Sequence, residues 1–243
     1  MKFYPVYYFT MACPTIEKSL EMIDKYVEKC HIRGVQLDMP STDPYGETDM
    51  VKARMAQGVA NYTYDDFMNA IREVRKKHPT LEIHIVVYPD VIDSIGIEKF
   101  TDFCKEINAF TVRIAGSETF VDYIKYLDDH GLLTSDYINY YMPEEDFERC
   151  QNTKGIIHIR TKRKTEAPNR GFETWEQRIP YIRNKGVTAR LFATADMKTA
   201  EDLIAAREGG ADGVYVGNVL MNLWDDEEKL FKLLSEMEAT AVE

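Results

Sequence analysis

Two carboxylates and an amide stand close together in the first quarter of the chain. Gln36 and Asp38 alternate with the apolar residues Val35, Leu37 and Met39, and Glu47 follows in a polar loop that holds Pro40, Asp43, Pro44 and Gly46. Side chains two apart on a strand share a face, so Gln36 and Asp38 point the same way, separated by about 7 Å along the strand. Carboxyl groups near one strand end suit the delivery and removal of protons. An amide such as Gln36 cannot exchange a proton in the working pH range. Polar groups at the carboxyl end of a strand, ahead of an acidic loop, point to the rim of an α/β active site. An exposed edge strand followed by a solvated turn is the other reading of the same residues.

Further along, Gly217 and Asn218 follow a short apolar strand and precede Val219, Leu220 and Met221. A glycine between a strand and a short helix lets backbone N–H groups approach an anion, although a Gly-Asn pair also serves as a plain turn. Arg160, Lys162, Arg163 and Lys164 form a basic run ending at Thr165. Inside an acidic protein they are what a phosphate ester would need nearby, or else an exposed loop pairing with surface carboxylates. Unpaired like charges of this kind also resemble a mobile lid. The polar set near strand ends includes Tyr88, Asp90 and His158. His84, in mid-strand, reads as a core or outward-facing residue, and Trp175 and Trp224 fall on predicted helices as packing groups.

Alternating elements must position these groups. Strand-like runs are predicted at 4–11, 34–39, 81–88, 109–114, 137–141, 156–160, 188–192 and 213–216. Helical runs are predicted at 16–30, 63–77, 97–106, 118–130, 143–150, 172–185, 198–208 and 223–238. Thr63 opens its helix with Asp65 and Asp66 in the first turn, Pro143 takes a first-turn position, and Gly131 and Gly209 end theirs. Strands alternating with helices imply parallel βαβ units. Eight of them make a single α/β domain over residues 1–243, a (β/α)8 TIM barrel. A doubly wound open sheet is the alternative.

Composition narrows the function. A chain of 243 residues with 29% charged and 44% hydrophobic residues is globular in kind. A net charge of −11 makes nucleic acid and anionic membranes poor partners, so a phosphorylated substrate would need locally concentrated positive charge. No apolar run approaches the roughly 18 residues of a membrane span, and the N-terminus lacks a signal-peptide layout. Cys13, Cys30, Cys104 and Cys150 are scattered, without a CxxC pair or a histidine at ligand spacing. That pattern implies reduced thiols in a cytoplasmic protein, and no metal or organic cofactor is expected.

At these residues the chain resembles the tryptophan synthase alpha subunit family along nearly its whole length. Tyr4, Pro5 and Val6, then Pro14 to Leu20, look like the family's first strand and helix. Pro40, Ser41, Thr42, Asp43, Pro44 and Glu47 look like its Pro-Phe-Ser-Asp-Pro loop. Val87 and Tyr88, Gly96 to Phe100, Asn169 and Arg170, and Gly209 to Gly213 fall in the family's order. The resemblance implies a retro-aldol cleavage of indole-3-glycerol phosphate to indole and glyceraldehyde 3-phosphate. It also implies a beta-like subunit met through the 40–48 loop. In the family a strand-two glutamate transfers the proton, a loop carboxylate meets the indole N–H, and backbone N–H groups after strands six, seven and eight hold phosphate.

By that likeness Gln36, Asp38 and Glu47 are the candidate catalytic residues, and Tyr88, Thr165, Ala193, Gly217 and Asn218 the candidate substrate and phosphate residues. The glutamate position is occupied by Gln36, so Asp38 is the group that could take over proton transfer. Glu47 is one methylene longer than the usual aspartate. Ala193 stands for a phosphate-contacting glycine, Glu166 stands near another, and Asn218 replaces a serine. Ala115, Gly116 and Ser117 replace an Asp-Val-Pro segment, and the family's leading helix is missing ahead of the first strand. A non-catalytic subunit that keeps the fold to bind or regulate a partner is the competing expectation.

Overall fold

A computed structural model describes residues 3–116, 120–162 and 165–241. Its elements run β1 (Tyr4–Thr10), α1 (Ile16–Cys30), β2 (Gly34–Asp38), α2 (Asp49–Asn61), α3 (Tyr64–Lys77), β3 (Glu82–Val87), α4 (Pro89–Ile95), α5 (Ile97–Glu106), β4 (Thr111–Ile114) and α6 (Val121–Asp129). They continue with β5 (Asp136–Ile138), α7 (Glu144–Cys150), β6 (Ile156–Arg160), α8 (Trp175–Asn184), β7 (Arg190–Thr194), α9 (Ala200–Glu208), β8 (Gly213–Val216), α10 (Asn218–Asn222) and α11 (Glu227–Glu238).

The sheet has eight strands in the order β4-β3-β2-β1-β8-β7-β6-β5. In a doubly wound sheet the strands would number outward from β1 on both sides; here β1 has the last strand as its neighbour, paired in parallel from Tyr4↔Gly213 to Tyr7↔Val216. That cyclic order is the (β/α)8 barrel. Val112 of β4 also bridges in parallel to Thr134, just before β5.

Two compact units are distinguishable along the chain. One comprises Met1–Tyr7, Cys30–Ile32 and Ser135–Glu243; the other comprises Tyr8–Lys29 and Arg33–Thr134. In the second unit β2 pairs with β3 from Gly34↔Glu82 to Asp38↔Val86, and β3 with β4 from His84↔Thr111 to Val87↔Ile114. All five residues of β2 are buried, which removes the exposed-edge reading. In the first unit β5, β6, β7 and β8 pair in turn, with Ile156, Ile157, Ile159, Leu191 and Phe192 buried among them.

Helix starts follow local chemistry. The Thr63 hydroxyl accepts from Asp66 N–H while the Asp66 carboxylate accepts from Thr63 N–H, a reciprocal cap that satisfies two otherwise orphaned donors. Thr199 and Asp202 do the same for α9. Several expected boundaries move. Residues 49–61, read as loop, form α2, and 89–95 form α4. The fifth strand begins at Asp136 and is short, and the seventh runs on to Thr194. Pro143 caps α7 rather than sitting inside it. Trp224 precedes α11 instead of lying on it. Residues 118 and 119, expected to open the sixth helix, lie outside the described residues, as do Arg163 and Lys164.

Candidate functional site

Asp38 ends β2 with its side chain fully buried. One carboxyl oxygen accepts from the backbone N–H of Met11 at 3.2 Å, and the other from the Tyr8 hydroxyl. Thr10 in turn donates to the Tyr8 oxygen at 3.4 Å. Burial pushes the Asp38 pKa up from 3.8 to about 7, against the two hydrogen bonds, which favour the ionised form; the nearby Glu47 adds a further upward push. A carboxyl group titrating there can both give and take a proton at neutral pH. Burial, and then the charge of Asp38, raises the Tyr8 phenol well above its ordinary value, so it remains a hydrogen-bond donor.

Glu47 comes to the same unit from the loop after β2. Its carboxylate accepts from the Tyr88 hydroxyl at 3.0 Å, and Tyr88, buried at the end of β3, has its own pKa raised chiefly by burial and then by Glu47. The loop is held by Asp90, in the first turn of α4. The Ser41 hydroxyl donates to one Asp90 oxygen at 2.7 Å, and Thr42 donates its N–H and hydroxyl to the other at 2.9 and 2.8 Å. Asp90, expected among the inward polar residues, is thus a tether for the loop. Past the turn at Gly46, whose φ is +75°, the Thr48 hydroxyl caps α2. That helix packs so closely on the loop that a Cβ at Gly58 would lie 2.9 Å from the Pro40 ring.

Gln36 is buried on the face it shares with Asp38. His84 is also buried, with its ring nitrogen 3.1 Å from the Thr111 hydroxyl and its ring tilted against Phe110, as a core histidine. Sequence reasoning missed Tyr8 and Arg113. Tyr8 sits in an apolar strand that announces nothing until the fold brings it to Asp38. Arg113 is the one charged residue of β4, where its Nε is buried without a hydrogen-bond partner among the described residues.

In the other unit the candidate phosphate residues fall on three strand ends. Arg160 closes β6 and pairs with Glu166 at 2.6 Å, so this cation of the basic run is already partnered. Lys162 and Thr165 are exposed. Ala193 is buried within β7, paired with Ile159 and Val214. Beyond β7 the Thr161 hydroxyl donates to the Ala195 carbonyl at 3.0 Å, and Ala195 and Asp196 take the left-handed conformation, with φ of 64° and 60°. Gly217 caps α10, its carbonyl accepting from Leu220 N–H at 2.9 Å, and Asn218 is exposed in the first turn. His158 is buried and stacked on Tyr215 with centroids 4.3 Å apart.

Arg178 is a second arginine without a warning in the sequence. It is buried, donates to the Arg160 carbonyl at 2.9 Å and lies over the rings of Tyr140 and Trp175. Burial lowers its pKa to about 10, which leaves it cationic at neutral pH. Among the described residues no group of three or more His, Cys, Asp or Glu could hold a metal ion, and no helix is long and apolar enough to cross a membrane. All four cysteines are buried, and none forms a disulfide among the described residues.

A family model described as "Tryptophan synthase alpha chain" matches residues 3–241. A curated tryptophan synthase alpha chain of Citrobacter koseri is 27% identical over 109 residues, which is 44% of this chain and 40% of that protein. The aligned stretch therefore spans less than half the length of such relatives. Among solved structures, a protein of Aquifex aeolicus superposes with a TM-score of 0.85 at 16% identity, over 100% of this chain and 94% of its own. Tryptophan synthase subunit alpha of Legionella pneumophila superposes with a TM-score of 0.82 at 20% identity, over 98% and 92%. At such identities the superpositions speak for the fold.

Proposed function

Because this chain belongs to the tryptophan synthase alpha chain family, we propose that it is a carbon–carbon lyase cleaving a phosphorylated substrate by retro-aldol chemistry. The family's reaction on indole-3-glycerol phosphate supplies the starting point, and a related phosphorylated substrate the variation. The observation that carries the reading is Asp38, a buried carboxyl group with a pKa near 7. It stands two residues from Gln36, the amide that the resemblance assigns to the family's glutamate position.

In this mechanism Asp38 delivers a proton to the ring carbon whose bond to the glycerol chain breaks. The Asp38 carboxylate so formed takes the proton of the adjacent glycerol hydroxyl; the electron pair of that O–H bond forms the carbonyl of glyceraldehyde 3-phosphate, and the pair of the breaking carbon–carbon bond returns to the ring and neutralises its nitrogen. Glu47, oriented by Tyr88, steadies the ring N–H as positive charge develops there. Such a positioned carboxyl group supplies about 10²- to 10⁴-fold in rate. Thr165, the backbone around Ala193, and Gly217 with Asn218 are assigned to the phosphate, helped by Lys162 and, when released from Glu166, Arg160.

Release of glyceraldehyde 3-phosphate from indole-3-glycerol phosphate and its ring-substituted analogues tests the reading, in the wild type and in Asp38→Asn, with and without a beta subunit. The asparagine keeps the acceptor for Tyr8 but cannot carry the proton, so turnover falls by about 10²- to 10⁴-fold. Equal turnover by both proteins, or none by the wild type, overturns it.

The second reading is a partner-binding subunit without turnover, favoured by Gln36 and by Tyr45, which is 67% exposed in the 40–48 loop. Restoring the acid as Gln36→Glu separates the two. A large gain from a silent wild type shows that only the proton donor was lost, whereas pull-down of a beta subunit with continued silence favours the binding role.

A further inference from the structure

Strand register fixes which side chains share a layer with Asp38. Asp38 pairs with Val86, and Val86 with Arg113, so the three stand on one face of the sheet at one level. Two strand spacings separate Asp38 from Arg113, roughly 10 Å. Tyr88 follows Val86 by two residues, its hydroxyl on Glu47, and the charge of Arg113 opposes the upward push on the Tyr88 pKa.

Among the described residues Arg113 nevertheless has no counter-ion: no carboxylate lies at ion-pair distance from it, and its Nε is buried with no hydrogen-bond acceptor. The two acids nearest in kind are engaged elsewhere: Asp38 by Tyr8 and Met11, Glu47 by Tyr88. A partly buried guanidinium left incomplete is costly, and its planar fork of donors matches a carboxylate.

We propose that Arg113 is a specificity-determining residue that takes a carboxylate on the carbon fragment of the substrate, the fragment released as indole in the family's reaction. This rests on the lyase reading for what the bound molecule is. A monoanion suits the place better than a phosphate dianion, because Asp38 and Glu47 repel the second charge. A neutral ring stacked on the guanidinium is the competing arrangement.

The test is binding without turnover: equilibrium dialysis of indole, and of indole carboxylates bearing the acid at each benzo-ring position, against wild type, Arg113→Leu and Arg113→Lys. At least one carboxylate is expected to bind the wild type about ten-fold more tightly than indole. Arg113→Leu abolishes that preference and Arg113→Lys keeps part of it. Indole binding as tightly as every carboxylate overturns the proposal, and this comparison needs no variant to fold. A preference surviving in Arg113→Leu, or inorganic phosphate competing in an Arg113-dependent way, overturns it as well. Lost turnover with the preference intact defeats the lyase reading alone. Turnover of indole-3-glycerol phosphate with no preference defeats this inference alone.

Discussion

The Tyr8 hydroxyl of β1 donates to the same Asp38 carboxyl group that Met11, the first residue past β1, holds by its backbone N–H. One strand thus grips both oxygens of the acid presented by its neighbour. Both bonds favour the ionised carboxylate while burial favours the neutral acid, and the balance leaves the group divided between the two forms near neutrality.

Removing the donor tips that balance. In Tyr8→Phe the carboxylate loses a bond that is worth about 1.5–3 kcal/mol when one partner is charged. The Asp38 pKa therefore moves further up, and the pH–rate midpoint assigned to it moves to higher pH. Rates across pH 5 to 9 for both proteins check this; a midpoint that stays in place, or moves down, contradicts the assigned role.

The same carboxyl group makes stability depend on pH. Its folded pKa of about 7 exceeds the reference 3.8, so between those values the native state binds the proton more firmly than the unfolded chain does. The contribution is complete below about pH 4 and is lost as pH rises to about 7, a fall of a few kcal/mol at most. Glu238, raised to about 7 by burial, acts in the same direction. Chemical denaturation at pH 4.5, 6 and 8 is expected to show falling stability. Asp38→Asn flattens part of the slope and Asp38→Asn with Glu238→Gln flattens more.

Asp90 holds the loop that carries Glu47 through three hydrogen bonds from Ser41 and Thr42. Asp90→Ala frees that loop, and kcat/KM falls by about 10- to 100-fold through misplacement of Glu47. Limited proteolysis locates the effect, with new cleavage expected between residues 40 and 48. Asp90→Asn, which keeps acceptor oxygen, recovers part of the activity.

At Gly58 two effects oppose each other. Alanine in mid-helix ordinarily gains about 1 kcal/mol over glycine, but here its Cβ would meet the Pro40 ring at 2.9 and 3.1 Å. Overpacking of this kind costs about 1–3 kcal/mol, so Gly58→Ala lowers the melting temperature. A rise would mean that α2 slides off the loop without penalty.

Neutralising Glu166 releases the cation it holds at 2.6 Å. Glu166→Gln is expected to tighten inorganic phosphate binding several-fold in calorimetry, with the gain disappearing in Glu166→Gln with Arg160→Ala. An unchanged affinity removes Arg160 from the phosphate assignment.

Period and punctuation made the architecture legible. Apolar alternation marks β2 and β3, and Thr63 and Gly131 mark helix ends through local hydrogen bonds or backbone freedom that need no distant partner, whereas Gly209 leaves room for the close approach of Trp175. The helix at 49–61 escaped because it buries only Val51, Met55 and Gly58, too sparse a stripe to stand out from polar neighbours. Residues 89–95 escaped because Pro89 reads as a break and only Val91 and Ile92 are buried.

The chain order of residues was enough to put Gln36 and Asp38 on one face, since strand geometry alone dictates it. Only the tertiary structure decided that Asp38 would be shut away from water beneath Tyr8 and Met11, and that Arg113 would stand in its layer. Burial and register are set by neighbouring strands distant in sequence, and a pKa depends on what surrounds the group.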